Sequence, residues 1–440
     1  MSTHGSIKSF SITVVGLGKI GLPLAVQFAR KGHKVFGADI SEDVVACINN
    51  GISPIQGEQD LADILKYVVE KNLLVASTQT AEVVAKSNVI VVVVPLLVDK
   101  NGQPDFTMLE SAIESIAKGL QKNTLVSFET TLPVGTTRNR LVPILEYHSG
   151  LKANEDFQVV FSPERVFSGR VFSDLRKYPK LVGGLNKESE IRGIEFYNSV
   201  LDFDERNDLS RPNGVWGLEG VETAELVKLA ETTYRDVNIA LANQFAIFCQ
   251  SNGLNIETVI EAANSQPFSH IHQPGIAVGG HCIPVYPQLY LLTDPNAILV
   301  QAGRNTNNLM PKICVDTLEK EHGSLTGQRV LILGISYRGG VKESAFSGVF
   351  PLYDYLKIKG AEVLVEDPLY TDLEISNLGF KPNKHNDSID AIIIQANHES
   401  FVSLGEDLFP SVRTVFDGRN ILNKDKWKNT RLVALGKPTS

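Results

Sequence analysis

The run Ile12-Thr13-Val14-Val15-Gly16-Leu17-Gly18-Lys19-Ile20-Gly21 sets glycines in the G-x-G-x-x-G spacing, directly behind a β-branched strand and ahead of a helical pattern at 24–31. Each glycine has its own physical task. Gly16 permits the tight turn out of the strand, Gly18 lets backbone amides approach a pyrophosphate, and Gly21 lets the helix pack closely on the strand. The next strand-like run, Val35-Phe36-Gly37-Ala38, ends at Asp39, where a carboxylate accepts hydrogen bonds from an adenosine ribose. A carboxylate there repels a 2′-phosphate, and Ile40-Ser41-Glu42 brings no arginine to offset it, so NAD is expected over NADP. A glycine triplet alone also fits a turn with no ligand near it. Strand, triplet, helix and acid in that order point to a nucleotide site.

Outward from this segment, strand-like runs at 12–15, 34–38, 89–95, 125–129 and 159–161 alternate with helical patterns, the signature of a parallel sheet covered by helices. A second series runs through 330–333, 362–366, 391–395 and 414–417. Its first strand is followed by Gly334 but by no triplet, so no second dinucleotide is expected. Between the two lies a helical pattern over 221–250, in which Leu226, Leu229, Tyr234, Val237, Leu241, Phe245 and Phe248 recur at three- and four-residue steps. Such a helix is suited to join domains and to present a face to a second subunit. The polar stretch 202–213 and the turn-rich 323–327 divide the chain into a nucleotide-binding domain (1–205), a helical central domain (206–324) and a second α/β domain (325–440). The expected class is α/β, with two Rossmann-like doubly wound domains joined by a helical one.

Composition narrows the ligands. A chain of 440 residues with 43% hydrophobic content has enough apolar surface for more than one core. Its formal net charge of -8 gives no general attraction for nucleic acid, so an anionic ligand must be held by local cations and amides. No apolar run approaches the ~20 residues that span a bilayer, and a cytoplasmic protein without a membrane partner is expected. The four cysteines, Cys47, Cys249, Cys282 and Cys314, are dispersed and fit no disulfide framework.

Cys282 lies in Val278-Gly279-Gly280-His281-Cys282-Ile283-Pro284, a glycine-rich loop bounded by proline. Small neighbours leave a thiol open to a substrate, and loop amides can stabilise a thiolate or an oxyanion. The other cysteines fall in apolar helical stretches, where the residue acts as a small buried hydrophobe. On pattern alone Cys282 is equally readable as a nucleophile or as a buried thiol. His270, His272, His281 and Cys282 are close in sequence, but their spacing matches no standard zinc set, so no metal is expected.

The cysteine loop and the glycine fingerprint together resemble the family of UDP-glucose and UDP-N-acetylhexosamine dehydrogenases. Glu129-Thr130-Thr131-Leu132-Pro133-Val134-Gly135, Ser162-Pro163-Glu164-Arg165, Ala224-Glu225-Leu226-Val227-Lys228, Tyr234-Arg235-Asp236-Val237-Asn238 and Asp417-Gly418-Arg419-Asn420 extend the likeness along nearly the whole chain, in the family's order. The resemblance implies an N-terminal NAD domain, a helical middle that forms a homodimer or higher homo-oligomer, and a C-terminal domain for the UDP portion. The implied chemistry oxidises a sugar C6 alcohol to the uronate through a thiohemiacetal and a thioester on cysteine, with two NAD per sugar.

Carried over by that likeness, Cys282 is the nucleophile, Lys228 stabilises the oxyanion, Glu164 is base or orienter, and Thr131 holds a water. Cofactor contacts are implied for Gly16, Gly18, Lys19, Ile20, Gly21, Asp39, Pro95 and Thr131, and substrate contacts for Glu164, Arg165, Lys228, Gly279, Arg338 and Arg419; Arg304 lies in a further family-like segment. Outside the family context Lys228 on an amphipathic helix reads as a solvated surface residue, and Glu164 as a partner for Arg165. The segment Ser162 to Arg165, followed by Gly169-Arg170, is closer to the N-acetylhexosamine branch than to the UDP-glucose branch, so UDP-N-acetylglucosamine or UDP-N-acetylmannosamine is the expected substrate. Thr232 stands where the family has asparagine, Tyr286 where it has aspartate, and Phe268 where an arginine is frequent. The competing readings are a UDP-glucose dehydrogenase, a single-step hydroxyacid dehydrogenase and a non-catalytic nucleotide-sugar-binding protein.

Overall fold

The computed structural model describes residues 9–99, 102–384 and 388–438. The chain folds as two compact units, divided between Ala230 and Glu231 inside one continuous helix, Val221–Ser251. At 31 residues that helix is roughly 45 Å long.

In the first unit the strands are β1 (Ser11–Val15), β2 (Lys34–Ala38), β3 (Leu74–Ser77), β4 (Val89–Val92), a small hairpin of β5 (Leu97–Val98) with β6 (Pro104–Asp105), β7 (Leu125–Phe128), β8 (Gln158–Phe161), β9 (Lys180–Gly184) and β10 (Val215–Gly217). The main sheet has eight strands in the order β10-β9-β8-β7-β4-β1-β2-β3. All its pairings are parallel except β8 with β9. From β3 to β8 this is the doubly wound nucleotide-binding order, with its switch point between β1 and β4. Strands covered on both faces read as unbroken apolar runs. Accordingly Val89 and Val91 join the core under the helix Gly21–Arg30, while Ile90 and Val92 join the opposite core under the helix Thr107–Gly119.

The second unit carries β11 (Arg329–Leu333), β12 (Glu362–Glu366), β13 (Ala391–Ile394), β14 (Thr414–Asp417) and β15 (Arg431–Ala434), all parallel, in the order β12-β11-β13-β14-β15. That is the other common doubly wound order, with its switch point between β11 and β13. The remainder of the long helix packs here with Ile256–Asn264, Tyr286–Thr293 and Ile298–His322. Arg304 is buried and donates to Asp236 Oδ1 at 2.6 Å, tying two of these helices together.

The α/β class with paired doubly wound sheets is as the sequence implies, and the differences are local. The run 89–95 is strand only to Val92, after which Val94 turns its carbonyl to the Thr130 hydroxyl at 2.6 Å. Strands β3, β9, β10 and β15 lack a sequence signal of their own: β9 reads Lys-Leu-Val-Gly-Gly, beginning with a charge and ending on residues of low strand preference. Cys249 and Cys314 are buried, but Cys47 is only partly so, because it lies on the outer side of the short helix Glu42–Asn49, whose single fully buried residue is Ile48. Among the described residues no helix is long and apolar enough to cross a membrane.

Candidate functional site

The glycine loop has the shape that the spacing requires. Gly16 adopts φ +90, and a Cβ there would press on the Val93 and Val94 backbone at 3.2 Å. A Cβ on Gly21 would overlap the carbonyl oxygen of Gly16. Around Gly18, by contrast, a Cβ would meet nothing within 4 Å, which is the open approach a ligand's phosphates need. Asp39, half-buried after β2, accepts from the Leu17 N–H at 2.8 Å and the Ser41 N–H at 3.0 Å, so its carboxylate is held at the mouth of the loop. Lys19 is exposed, Ile20 immediately precedes the helix Gly21–Arg30, and Pro95 lies exposed beyond β4. These residues fit a dinucleotide.

At this sheet lies a buried polar network in which sequence reasoning gave a role to Glu164 and Lys228 but to none of their partners. Glu129 directly follows β7 and is 2% exposed; Lys180 begins β9 and is 4% exposed. The Lys180 ammonium donates to Glu129 Oε2 at 2.7 Å and to Glu164 Oε2 at 2.8 Å. Tyr197 donates its hydroxyl to Glu129 Oε1 at 2.6 Å and also meets Ser127 Oγ at 2.7 Å. Glu164 Oε1 in turn accepts the N–H groups of Arg165 (2.7 Å) and Val166 (3.2 Å), and the Lys228 ammonium donates to the Glu164 carbonyl at 2.7 Å.

Burial works against both carboxylates, yet they settle differently. Desolvation pushes Glu129 up to about 7, with the Glu164 charge adding to the rise and Lys180 opposing it. Glu164 is held below the ordinary carboxylate range: burial would raise it, but the Lys180 charge and the Arg165 N–H outweigh burial. Lys180 is raised in spite of its own desolvation, by the paired carboxylates. Glu164 is therefore a fixed anion at neutral pH. Thr131 is buried just beyond Glu129.

Glu225 lies one turn before Lys228. It accepts the Thr137 hydroxyl (2.6 Å) and the N–H groups of Gly135 (2.6 Å) and Thr137 (2.8 Å), so the loop after β7 is fastened to the long helix that carries Lys228. Burial pushes Glu225 up to about 7.

The second unit holds the cysteine loop. Cys282 is exposed, and its carbonyl accepts the Tyr286 N–H at 2.9 Å, which starts the helix Tyr286–Thr293. Gly279 and Gly280 pack against Tyr337, where a Cβ on Gly279 would come within 2.6 Å of the tyrosine Cβ and one on Gly280 within 3.2 Å of its ring; Gly280 has φ +91. Tyr337 also meets both candidate phosphate-binding cations. Arg338, exposed, has its guanidinium 5.7 Å from the ring centre, and Arg419 donates to the Tyr337 carbonyl at 3.3 Å. Desolvation lowers Arg419 to about 10, so it stays charged at neutral pH. The structure thus brings Gly279, the cysteine loop, Arg338 and Arg419 to one residue, Tyr337, the first three at its side chain and Arg419 at its carbonyl. His281 pairs with Glu343 at 3.3 Å, and no cluster of three or more metal-ligating side chains occurs among the described residues. Thr232 is buried and Tyr286 half-buried.

Lys180 and Tyr197 are absent from the residues that the sequence singled out, and Glu129 and Glu225 were quoted only as parts of motifs. The signal available for Lys180 was a lysine heading an otherwise apolar run.

Comparison with known proteins places models of the UDP-glucose/GDP-mannose dehydrogenase family on three stretches: its NAD binding domain on residues 10–201, its central domain on 222–308 and its UDP binding domain on 331–424. The UDP-N-acetyl-D-mannosamine dehydrogenase of Pyrococcus horikoshii is 35% identical over 423 residues, covering 94% of this chain and 96% of the relative. That of Campylobacter jejuni is 31% identical over 415 residues, 90% of this chain and 97% of the relative. The solved structure of the Pyrococcus horikoshii UDP-D-ManNAc dehydrogenase superposes with a TM-score of 0.83 at 32% identity, covering 97% of this chain and 99% of that one.

Proposed function

The chain belongs to the UDP-glucose/GDP-mannose dehydrogenase family and is an NAD-dependent dehydrogenase, and from that premise we propose that it oxidises the C6 alcohol of a UDP-N-acetylhexosamine, UDP-N-acetyl-D-mannosamine first, to the uronate. The relatives that match it over nearly their full length bear that substrate in their names. The Ser162 to Arg165 segment points to the same branch. The observation that carries the chemistry is the meeting of the Lys228 ammonium with the backbone of an ionised, immobilised Glu164.

The loop amides of Gly16 to Gly21 and the Asp39 carboxylate hold NAD, with Pro95 and Thr131 as further contacts. When bound, NAD supplies the hydride acceptor, in two equivalents per sugar. The Cys282 sulfur attacks the C6 aldehyde carbon, so the reactive aldehyde is kept as a thiohemiacetal. Oxidation makes this a thioester, and water then releases the carboxylate and restores the thiol. Lys228 stabilises the alkoxide and tetrahedral oxyanion, where a fixed positive charge in a water-poor site counts most. Glu164 has its oxygens occupied by N–H donors and its acidity increased, which suits an orienter of water better than a strong base. Arg338 and Arg419 take the diphosphate, and Arg165 and Gly279 complete the substrate contacts. Thr232 supplies a hydroxyl donor where the family has an amide, and Tyr286 positions water without acting as a carboxylate.

The same reading includes a homodimer or higher oligomer in the cytoplasm, supplying uronate for polysaccharide synthesis. Tyr234, Leu241, Phe245 and Phe248, exposed at helical spacing on the long helix, are the apolar face that a second subunit would cover.

A panel of UDP-sugars with NAD, followed by NADH yield and product mass, tests substrate and electron count together. Two NADH per UDP-N-acetylmannosamine are expected, with sustained turnover. A single burst and a persistent adduct on Cys282 would show that hydrolysis fails with Tyr286 in place of aspartate. The Cys282→Ser variant is expected to bind both ligands and lose uronate formation; undiminished uronate from it would rule out covalent catalysis.

A further inference from the structure

We propose that Lys180 is a positioning residue for the reaction, a buried cation pinned between Glu129 and Glu164 that fixes the Glu164 carboxylate as an ionised acceptor aimed at water or substrate. The inference rests on the role given to Glu164 above, and deepens it. The geometry is that of a clamp. Lys180 leaves the first position of β9, where its backbone belongs to the sheet, and its ammonium reaches one oxygen of each carboxylate at 2.7 and 2.8 Å. A lysine that is 4% exposed is costly to bury and is tolerated only when paired and hydrogen-bonded.

Glu129 comes from directly after β7, Glu164 from the loop after β8, and Tyr197, from the helix Lys187–Val200, donates to Glu129 while its ring lies 4.9 Å from the Lys180 ammonium. The Lys228 ammonium reaches the carbonyl of Glu164, and the Arg165 guanidinium reaches the Pro179 carbonyl at 3.4 Å. Lys180 is a side-chain cation hydrogen-bonded to both buried carboxylates at once. Glu129 balances it: with its acidity weakened to about 7, it takes up a proton where the cluster would otherwise carry an excess negative charge. Removing the cation leaves two buried carboxylates facing each other. Glu164 then gains affinity for a proton, and because it acts when ionised, its activity is lost at a higher pH than before.

The test uses the full-length enzyme with NAD and a UDP-N-acetylhexosamine. Lys180→Met is expected to lower kcat about 10²-fold, leave KM for the UDP-sugar and NAD affinity within about threefold, and move the acidic limb of the kcat profile to higher pH. Lys180→Arg, which keeps the charge, is expected to restore most of the lost turnover and the original acidic limb. If Lys180→Met does not fold, Lys180→Met with Glu129→Gln removes the cation without stranding a second charge, and the same loss and shift are expected. A folded, NAD-binding Lys180→Met, Glu129→Gln enzyme with the original kcat and pH profile would overturn the proposal. Failure of the substrate reading looks different, since the unaltered enzyme would then form no NADH with any UDP-sugar. In that event infrared titration of the Glu164 carboxylate in the double variant still decides: an unchanged protonation midpoint overturns the clamp, and an upward move supports it.

Discussion

The loops that follow β1 and β11 begin in the same way and end differently. Gly16 donates its N–H to the Ala38 carbonyl at 2.8 Å and Gly334 to the Glu366 carbonyl at 2.8 Å. The next N–H in each loop bonds the aspartate that closes the neighbouring strand, Leu17 to Asp39 at 2.8 Å and Ile335 to Asp367 at 2.7 Å. Beyond that point Asp39 stays half-exposed beside open space at Gly18, whereas Asp367 is 3% exposed and also holds the N–H groups of Ser336 and Leu369 and the His398 ring. Because His398 Nδ1 accepts from the Gly340 N–H, the ring proton lies on Nε2 and is donated to Asp367. One corner leaves its acid half-exposed, as the proposed ribose contact of Asp39 requires; the other uses its acid to brace the chain that carries Tyr337 and Arg338. The proposed dinucleotide site is the corner whose acid and middle glycine remain open to a ligand.

Glycine substitutions should separate the two corners most sharply. Gly21→Ala forces a methyl group into the Gly16 carbonyl, and a loss of about 3 kcal/mol or more is expected, together with loss of NAD binding. Gly18→Ala meets no protein atom and should melt like the unaltered enzyme while binding NAD at least about tenfold more weakly. Thermal melts paired with NAD titrations read both, and a Gly18→Ala protein with full NAD affinity would break the assignment of the open corner. Gly334→Ala should destabilise through its φ of +111 and the Ala396 Cβ 2.5 Å away, without a direct effect on NAD.

The aspartates sharpen the same contrast at smaller cost. Asp39→Ala is expected to reduce kcat/KM for NAD about tenfold and narrow the preference over NADP, with little change in stability. Asp367→Ala strands several buried donors and should cost about 2–4 kcal/mol, read by urea denaturation, while NAD affinity stays unchanged. Interchanged outcomes would reverse the roles given to the two acids.

The smallest effect is in pH. Glu225 is raised from its ordinary 4.5 to about 7 in the folded state, so folding favours its protonated form. Its contribution is full below about pH 4.5 and fades as pH rises through about 7, by roughly 3 kcal/mol at most. Asp367 is lowered: burial opposes this, but His398 and the backbone N–H groups outweigh it, so its contribution is present above the unfolded value and is lost as pH falls through the folded one. Glu225→Gln should flatten the decline in denaturation midpoint between pH 5 and 8, and a decline of unchanged slope would remove Glu225 as its source.

How much of this was legible depended on whether the cause was local. The turn at the glycine fingerprint, the place of Asp39 directly after β2 and the continuous apolar strands each follow from a short segment. The long helix was visible because its apolar residues repeat at helical steps over several turns. Strand β9 was not, since its lysine is intelligible only beside Glu129 and Glu164, which lie 51 and 16 residues earlier in the chain. Glu225 was quoted within a motif, but its fastening of the loop escaped for the same reason: its partners at Gly135 and Thr137 are 90 and 88 residues away. Even the likeness to a known family named Glu164 without showing what keeps it ionised.

The exposure of Cys282 has a practical consequence for anyone handling the protein. Cys249 and Cys314 are shielded inside the fold, so peroxide, alkylating agents and adventitious disulfide exchange will reach Cys282 first and the half-covered Cys47 after it. Reaction with a chromogenic thiol reagent should therefore proceed in a fast and a slower step. The size of the fast step counts molecules with an intact Cys282, which under the proposed mechanism are the competent ones, so a sample aged in air can be calibrated by its remaining fast-reacting sulfur before any rate is measured.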